Sequence, residues 1–148
     1  MVKIAIRHAK PTDLPHVCEI ERLSFEHPYP PSYIHALASL SPDTFLVAEK
    51  DGQLVGYAAA LLEGRGLGHI FSIAVLRKHR RKGVGTNLVN RMIEILKKHG
   101  ASSIRLEVRR KNRRAQKLYE KLGFKKAYEV KGYYEDDEDC IVMIKTTN

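Results

Sequence analysis

The stretch GHIFSIAVL, residues 68–76, is almost wholly apolar and rich in β-branched side chains, with no alternation of polar positions. A strand of that kind has both faces covered, so it belongs inside a sheet with further layers packed on either side. It runs directly into the basic glycine turn RKHRRKGVGT. Beyond the turn, Leu88, Val89, Met92, Ile93 and Leu96 recur at helical spacing. Lys97, Lys98 and His99 suit the last turn of that helix, and Gly100 ends it. Buried strand, basic turn and amphipathic helix together restrict the chain to an α/β or α+β sandwich.

The flanking segments fit that frame. KIAIRHA alternates and reads as a strand, after which Thr12 and Asp13 offer N-cap oxygens to a helix carrying Leu14, Val17, Ile20 and Leu23. Prolines and tyrosines make residues 24–34 a loop, or a loop leading into a short helix. Asp51-Gly52 between two apolar runs signals a hairpin. SIRLEVR alternates as a strand; Asn112 can cap a helix bearing Ala115, Leu118, Tyr119 and Leu122, closed by Gly123. FKKAYEVKGYY and DCIVMIK form a terminal hairpin around the acidic EDDED. No repeat or linker interrupts this order, so residues 1–148 read as one domain.

Several function classes lose ground at once. No apolar run approaches the length of a membrane span, and the N-terminus lacks a signal peptide's apolar core and cleavage site. Cys18 and Cys140 stand far apart without metal-ligand spacing, which reads as reduced thiols in a cytoplasmic protein with no metal. The net charge of +9 attracts anions without identifying them. No helix-turn-helix, RNP or zinc pattern accompanies it, so nucleic acid is not expected as the primary ligand.

A helix N-terminus exposes unpaired N–H groups and the positive end of the helix dipole. Gly83 and Gly85 let an anion approach the backbone, and Arg80, Arg81 and Lys82 surround the same spot with positive charge. That is a pyrophosphate site. It matches neither the P-loop nor the dinucleotide fingerprint, and the glycines of GRGLG (64–68) precede a strand and suit a turn.

The pattern R-x-x-G-x-G at Arg80–Gly85 resembles the acetyl-CoA turn of the GNAT acetyltransferase superfamily. The preceding SIAV, the later LEVRRKNRRAQKLYEKLGF and the terminal KGYYEDDEDCIVM resemble, in order, the subgroup that acetylates protein N-termini. That subgroup includes the bacterial ribosomal-protein alanine acetyltransferases and the archaeal and eukaryotic catalytic subunits. The resemblance implies the GNAT fold, a mixed and mostly antiparallel sheet of about seven strands with helices on both faces. It implies transfer from acetyl-CoA to a free α-amino group by direct attack, without a covalent intermediate. The expected substrates are protein N-termini, ribosomal proteins among them, acted on by a monomer or weak dimer. The alternative is a GNAT enzyme acting on a small-molecule amine or a lysine side chain.

The same resemblance assigns residues. Ile73, Ala74 and Val75 would offer backbone groups to the acetyl carbonyl. Arg80, Arg81, Lys82, Gly83, Val84, Gly85 and Thr86 would hold the cofactor phosphates, with Asn112 on the pantetheine unless it serves only as the cap. Glu107, turned away from Leu106 and Val108, matches the general base, and Tyr119 the general acid, with a core tyrosine as its alternative. His69 and Glu26 match a second base machinery. Phe25, Glu26, Tyr29 and Tyr33 would form one side of a peptide groove and Tyr133 and Tyr134 the other, with His69 also binding the substrate amine. The basic run 109–114 either helps hold the adenosine phosphates or is a solvated face, and the acidic turn reads as solvated.

Overall fold

The computed structural model describes residues 3–147. In chain order the elements are β1 (Ile4–His8), α1 (Leu14–Ser24), α2 (Pro31–Leu40), β2 (Phe45–Lys50), β3 (Gln53–Glu63), β4 (Leu67–Val75), α3 (Val84–Lys98), β5 (Ser103–Arg109), α4 (Arg113–Lys121), β6 (Lys125–Val130) and β7 (Cys140–Thr146). The seven strands form one sheet in the order β1-β2-β3-β4-β5-β7-β6. Only β4 and β5 are parallel; every other neighbouring pair is antiparallel. The apolar stretch that fixed the fold class is β4, at the centre of the sheet. Asp51 and Gly52 both take positive φ and turn the β2–β3 hairpin.

Two apolar layers cover the sheet. On one face, Val84, Leu88, Val89, Met92 and Leu96 of α3 pack with Ile70, Ile104, Leu106 and Val108, and Ala115, Tyr119 and Leu122 of the α4 segment join them. On the other, Leu14, Val17 and Ile20 of α1 and Ile34 and Leu37 of α2 pack on Phe45, Val47, Tyr57 and Ala74. Alternation along β5 sends Ile104, Leu106 and Val108 to the α3 side and therefore turns Arg105, Glu107 and Arg109 to the α1–α2 side.

Around α1 the structure corrects two expectations. Asp13 does not cap the helix with its side chain. Its carboxylate turns back to accept from the Arg7 guanidinium at 2.7 and 3.1 Å and from the Lys10 N–H at 2.7 Å. A bidentate arginine outcompetes a single helix N–H for the same oxygens. Leu23 is 58% exposed, whereas Glu21 is buried among the apolar positions. Counting i, i+3, i+7 from Leu14 reaches Val17 and Glu21, so the helix buries a carboxylate where the apolar stripe continues.

Candidate active site

The central feature is a parting of strands. β4 pairs with β5 only from Leu67–Ser103 to Ile70–Leu106, after which the two diverge. The cause lies in β4 itself. Against β3, Ala59 faces Ser72 while Ala60 faces Ile70, so Phe71 is an extra residue, a β-bulge. A bulge bends its strand and resets side-chain alternation. Phe71 and Ser72 consequently both serve the α1–α2 side, where Phe71 packs in the apolar layer and the Ser72 hydroxyl reaches Glu21 at 3.0 Å. Leu76 N–H donates to Val55 O at 2.9 Å. Counting back by twos, Ala74 directs its backbone groups to β3, while Ile73 and Val75 direct theirs into the gap.

The basic turn closes one end of the gap. Val75 O accepts from Arg80 Nε at 2.7 Å, so Arg80 is tied to the strand end. Arg81 and Gly83 have φ of 63° and 84°. Left-handed residues of this kind build the backbone concavities that bind anions. A Cβ on Gly83 would meet open space, and one on Gly85 would lie 3.8 Å from both Leu118 and Val75. The start of α3, the end of β4 and α4 therefore meet at Gly85. Val84 is buried, which leaves only its backbone for a ligand, and Thr86 is half-buried in the first turn. A phosphorylated ligand fits this place: anion-binding backbone at the turn, then an unpaired strand edge leading inward. Asn112 Oδ1 accepts from Ala115 N–H at 3.1 Å, so its oxygen caps α4.

On the α1–α2 face, four side chains form one network. His69 Nε2 lies 2.6 Å from Glu107 Oε1. His69 Nδ1 lies 3.1 Å from both Glu63 Oε1 and Arg105 Nη2. Arg105 Nε donates to Glu107 Oε2 at 3.1 Å. The arginine can only donate and the carboxylate only accept. A neutral ring with its proton on Nε2 therefore accepts from Arg105, and a protonated ring donates to Glu63. Either way Nε2–H faces Glu107. Glu107 and His69, expected as rivals, form one unit, while Glu26 is exposed and makes none of the hydrogen bonds among the described residues. Glu63 and Arg105 escape the sequence reading because nothing local marks a β3 terminus as a neighbour of β5.

Aromatic side chains surround this network. The Phe71 ring lies 4.1 Å from the His69 ring and meets Tyr33 edge-on at 6.4 Å, and Tyr33 stacks on Tyr29 at 4.6 Å. Tyr133 and Tyr134 pack edge to face at 5.0 Å. Burial, and then the Glu107 charge, raise both the Tyr33 and Tyr133 phenols above their ordinary value. Phe25 is exposed at the head of the 25–30 loop. Phe71 was not among the expected residues, since a bulge leaves no mark in the hydrophobic pattern.

Arg109 departs from both readings of the basic run. Its Nη1 donates to Asp136 Oδ1 and Oδ2 at 3.0 Å and to Glu138 Oε1 at 2.8 Å, and its guanidinium sits 4.0 Å above the Tyr134 ring. The acidic turn is accordingly no freely solvated loop. Hydrogen bonds from Arg109 hold Asp136 and Glu138 below the usual carboxylate range.

Tyr119 occupies the opposite face, against Phe124 at 5.9 Å, and burial pushes its phenol up to about 12. The carboxylate–imidazole pair and the phenol thus lie on different sides of the sheet. The gap between β4 and β5 opens between these two sides. Among the described residues no cluster of His, Cys, Asp and Glu is placed to hold a metal ion, and no helix is long and apolar enough to cross a membrane.

Comparison with known proteins agrees with this geometry. The acetyltransferase (GNAT) family model matches residues 14–124. An N-alpha-acetyltransferase of Sulfurisphaera tokodaii is 36% identical over 93% of this chain and 90% of its own. A putative ribosomal protein bS18-alanine N-acetyltransferase of Bacillus subtilis is 36% identical over 99% of this chain and 97% of its own. The crystal structure of Ard1 from Thermoplasma volcanium superposes with a TM-score of 0.94 at 29% identity, covering 98% of both chains. With the family model spanning three quarters of the sequence, the chain belongs to the GNAT family of acetyltransferases.

Proposed function

We propose that this enzyme transfers the acetyl group of acetyl-CoA to the α-amino group of protein and peptide N-termini. The observation that carries the reading is the placement of the Glu107–His69 pair and Tyr119 on opposite faces of the β4–β5 gap. The names of the Sulfurisphaera and Bacillus relatives support the same acceptor class.

In this reading Gly83, Gly85 and the first turn of α3 bind the phosphates through backbone N–H groups, with Arg81 and Lys82 beside them. Ile73 and Val75 present backbone donors to the thioester oxygen where negative charge develops, a contribution of roughly 3–4 kcal/mol per donor. Glu107, backed by His69, accepts the proton from the attacking amine. As the new N–C bond forms and the C–S bond breaks, Tyr119 donates its proton to the departing sulfur. Its raised pKa keeps that proton in place at neutral pH.

The acceptor class follows from the acid–base strength available. An α-amine titrates near 7.7–8.0 and a lysine near 10.4, so roughly a tenth of α-amines are already neutral at pH 7. A carboxylate–imidazole pair suffices for the former and is poorly matched to the latter. The tyrosines around Glu107 offer apolar surface and hydroxyls to an extended peptide end.

Three acceptors test the reading: a peptide with a free N-terminus, the same peptide N-blocked with an internal lysine, and a small polyamine. The expected result at pH 7 is a kcat/KM roughly a few hundredfold higher for the free N-terminus, the scale set by the difference in neutral amine. Preference for the blocked peptide or the polyamine overturns it.

A further inference from the structure

Glu21 is the most deeply buried acidic side chain of the α1–α2 layer, at 2% exposure, and among the described residues no cation pairs with it. Its carboxylate instead accepts from the Tyr57 hydroxyl, from the Ser72 hydroxyl at 3.0 Å and from the Tyr29 N–H at 3.0 Å. Burying a carboxylate without a counter-ion is costly and needs several donors to offset it. These donors come from three places: the floor of the core on β3, the bulge of β4, and the loop that enters α2.

The two outer donors bear on the site. Ser72 follows Phe71, the groove floor, and precedes Ile73, whose backbone faces the gap. Tyr29 stacks on Tyr33, which in turn meets Phe71. We propose that Glu21 is a positioning residue for the acceptor peptide: it ties the 25–30 loop to the bulged strand and so fixes the aromatic wall over Phe71 and the Glu107–His69 pair. This rests on the N-terminal acetylation reading for the identity of the acceptor, while the tie itself is a property of the fold.

The tie divides its donors unequally. The Tyr57 and Ser72 hydroxyls can rotate to find or accept another bond; the Tyr29 N–H cannot. Glu21→Met keeps the length of the side chain within the apolar stripe of α1 but removes both acceptor oxygens at once. The hydroxyls can turn to other partners, so the Tyr29 bond is the one lost without replacement, and a hydrogen bond to a charged group is worth roughly ten- to a hundredfold in an equilibrium.

The test combines steady-state kinetics, acetyl-CoA titration and amide hydrogen exchange on the full chain. In the wild type, the Tyr29 amide should exchange at least about tenfold more slowly than those of Glu26 and His27, since only Tyr29 has a buried acceptor. In Glu21→Met that protection should disappear and peptide KM should rise about tenfold or more, with kcat and acetyl-CoA affinity within about threefold. Tyr57→Phe removes a donor from the same carboxylate but spares Tyr29. It should lower thermal stability while leaving KM and Tyr29 exchange unchanged. An unprotected Tyr29 amide in the wild type overturns the proposal without any variant. So does a folded Glu21→Met enzyme with wild-type KM, or a Tyr57→Phe enzyme whose KM rises as far. If the wild type acetylates no free N-terminus, the functional reading falls, and the exchange data still decide whether Glu21 holds the loop.

Discussion

Glu107 Oε1 lies 2.6 Å from His69 Nε2, across the last stretch of β4 and β5 before the strands part. Groups in direct contact act as a unit, and their removal is not additive.

The double-mutant cycle should show this. Glu107→Gln is expected to reduce kcat/KM about 10²-fold or more at pH 7, the scale of general-base catalysis, with partial recovery as pH rises toward 9 and the amine deprotonates unaided. Glu107→Gln with His69→Gln should cost about as much as the worse single change. Glu26→Gln, at an exposed position, should stay within about threefold of wild type, as surface changes usually do. Independent, multiplicative losses would separate the two residues.

Tyr119→Phe should lower kcat about 10²-fold while leaving acetyl-CoA affinity unchanged, because the ring and its packing against Phe124 remain. Its pKa is raised by burial, so the phenol stays protonated up to pH values near 12. A rate profile measured between pH 6 and 10 should therefore show no descending limb from this group. Unchanged turnover in Tyr119→Phe would return the residue to a packing role.

The two glycines of the turn should respond differently to the same methyl group. Gly83 sits at φ 84°, so Gly83→Ala is expected to cost about 1 kcal/mol from backbone strain despite open space around it. At Gly85 a Cβ meets only ordinary contacts, and Gly85→Ala should remain as stable as wild type. Gly85→Glu should fold yet lose acetyl-CoA binding, since a carboxylate would stand where phosphate approaches. Thermal melts and calorimetric titration read the two effects separately; near-native affinity in a folded Gly85→Glu protein would dismiss the phosphate turn.

Arg109→Lys should raise peptide KM several-fold, about the effect of losing one charge-assisted bond and a stacked ring, with acetyl-CoA affinity unchanged. The pairing has a definite pH window. Asp136 and Glu138 have depressed pKa values, so their attachment to Arg109 is fully formed above the ordinary carboxylate range and is lost only as pH falls through the lowered values. Fluorescence of Tyr133 and Tyr134, followed in tyrosine variants, should stay constant in wild type as pH falls from 7 through the ordinary carboxylate range and change only below it, whereas in Arg109→Lys the change should begin within that range. Identical profiles would leave Arg109 without a hold on the loop.

Much of this architecture is legible in the sequence because its signals are local. The apolar run of β4, the Asp51-Gly52 turn, the Asn112 cap and the alternation that exposes Glu107 each depend on a few neighbouring residues. What the sequence hides are relations between distant segments. The distance from His69 to Glu107 depends on two strands whose parallel pairing ends at Ile70. That ending depends on one surplus residue, Phe71, whose presence changes no apolar pattern. Asp13 looks like a cap until Arg7, on the neighbouring strand, claims its carboxylate. Glu21 is the instructive exception: a carboxylate at an apolar position of α1 is visible in the sequence, and it marks buried donors waiting elsewhere in the fold.

The division of the site between two faces of the sheet has a kinetic meaning. If peptide enters from the α1–α2 side and acetyl-CoA along the α3 side, neither obstructs the other's route in or out. Binding need then follow no compulsory order. Initial-rate lines would intersect, and coenzyme A would compete with acetyl-CoA but not with peptide. An acetylated N-terminus could leave while coenzyme A still occupies its own side, so neither product would have to wait for the other.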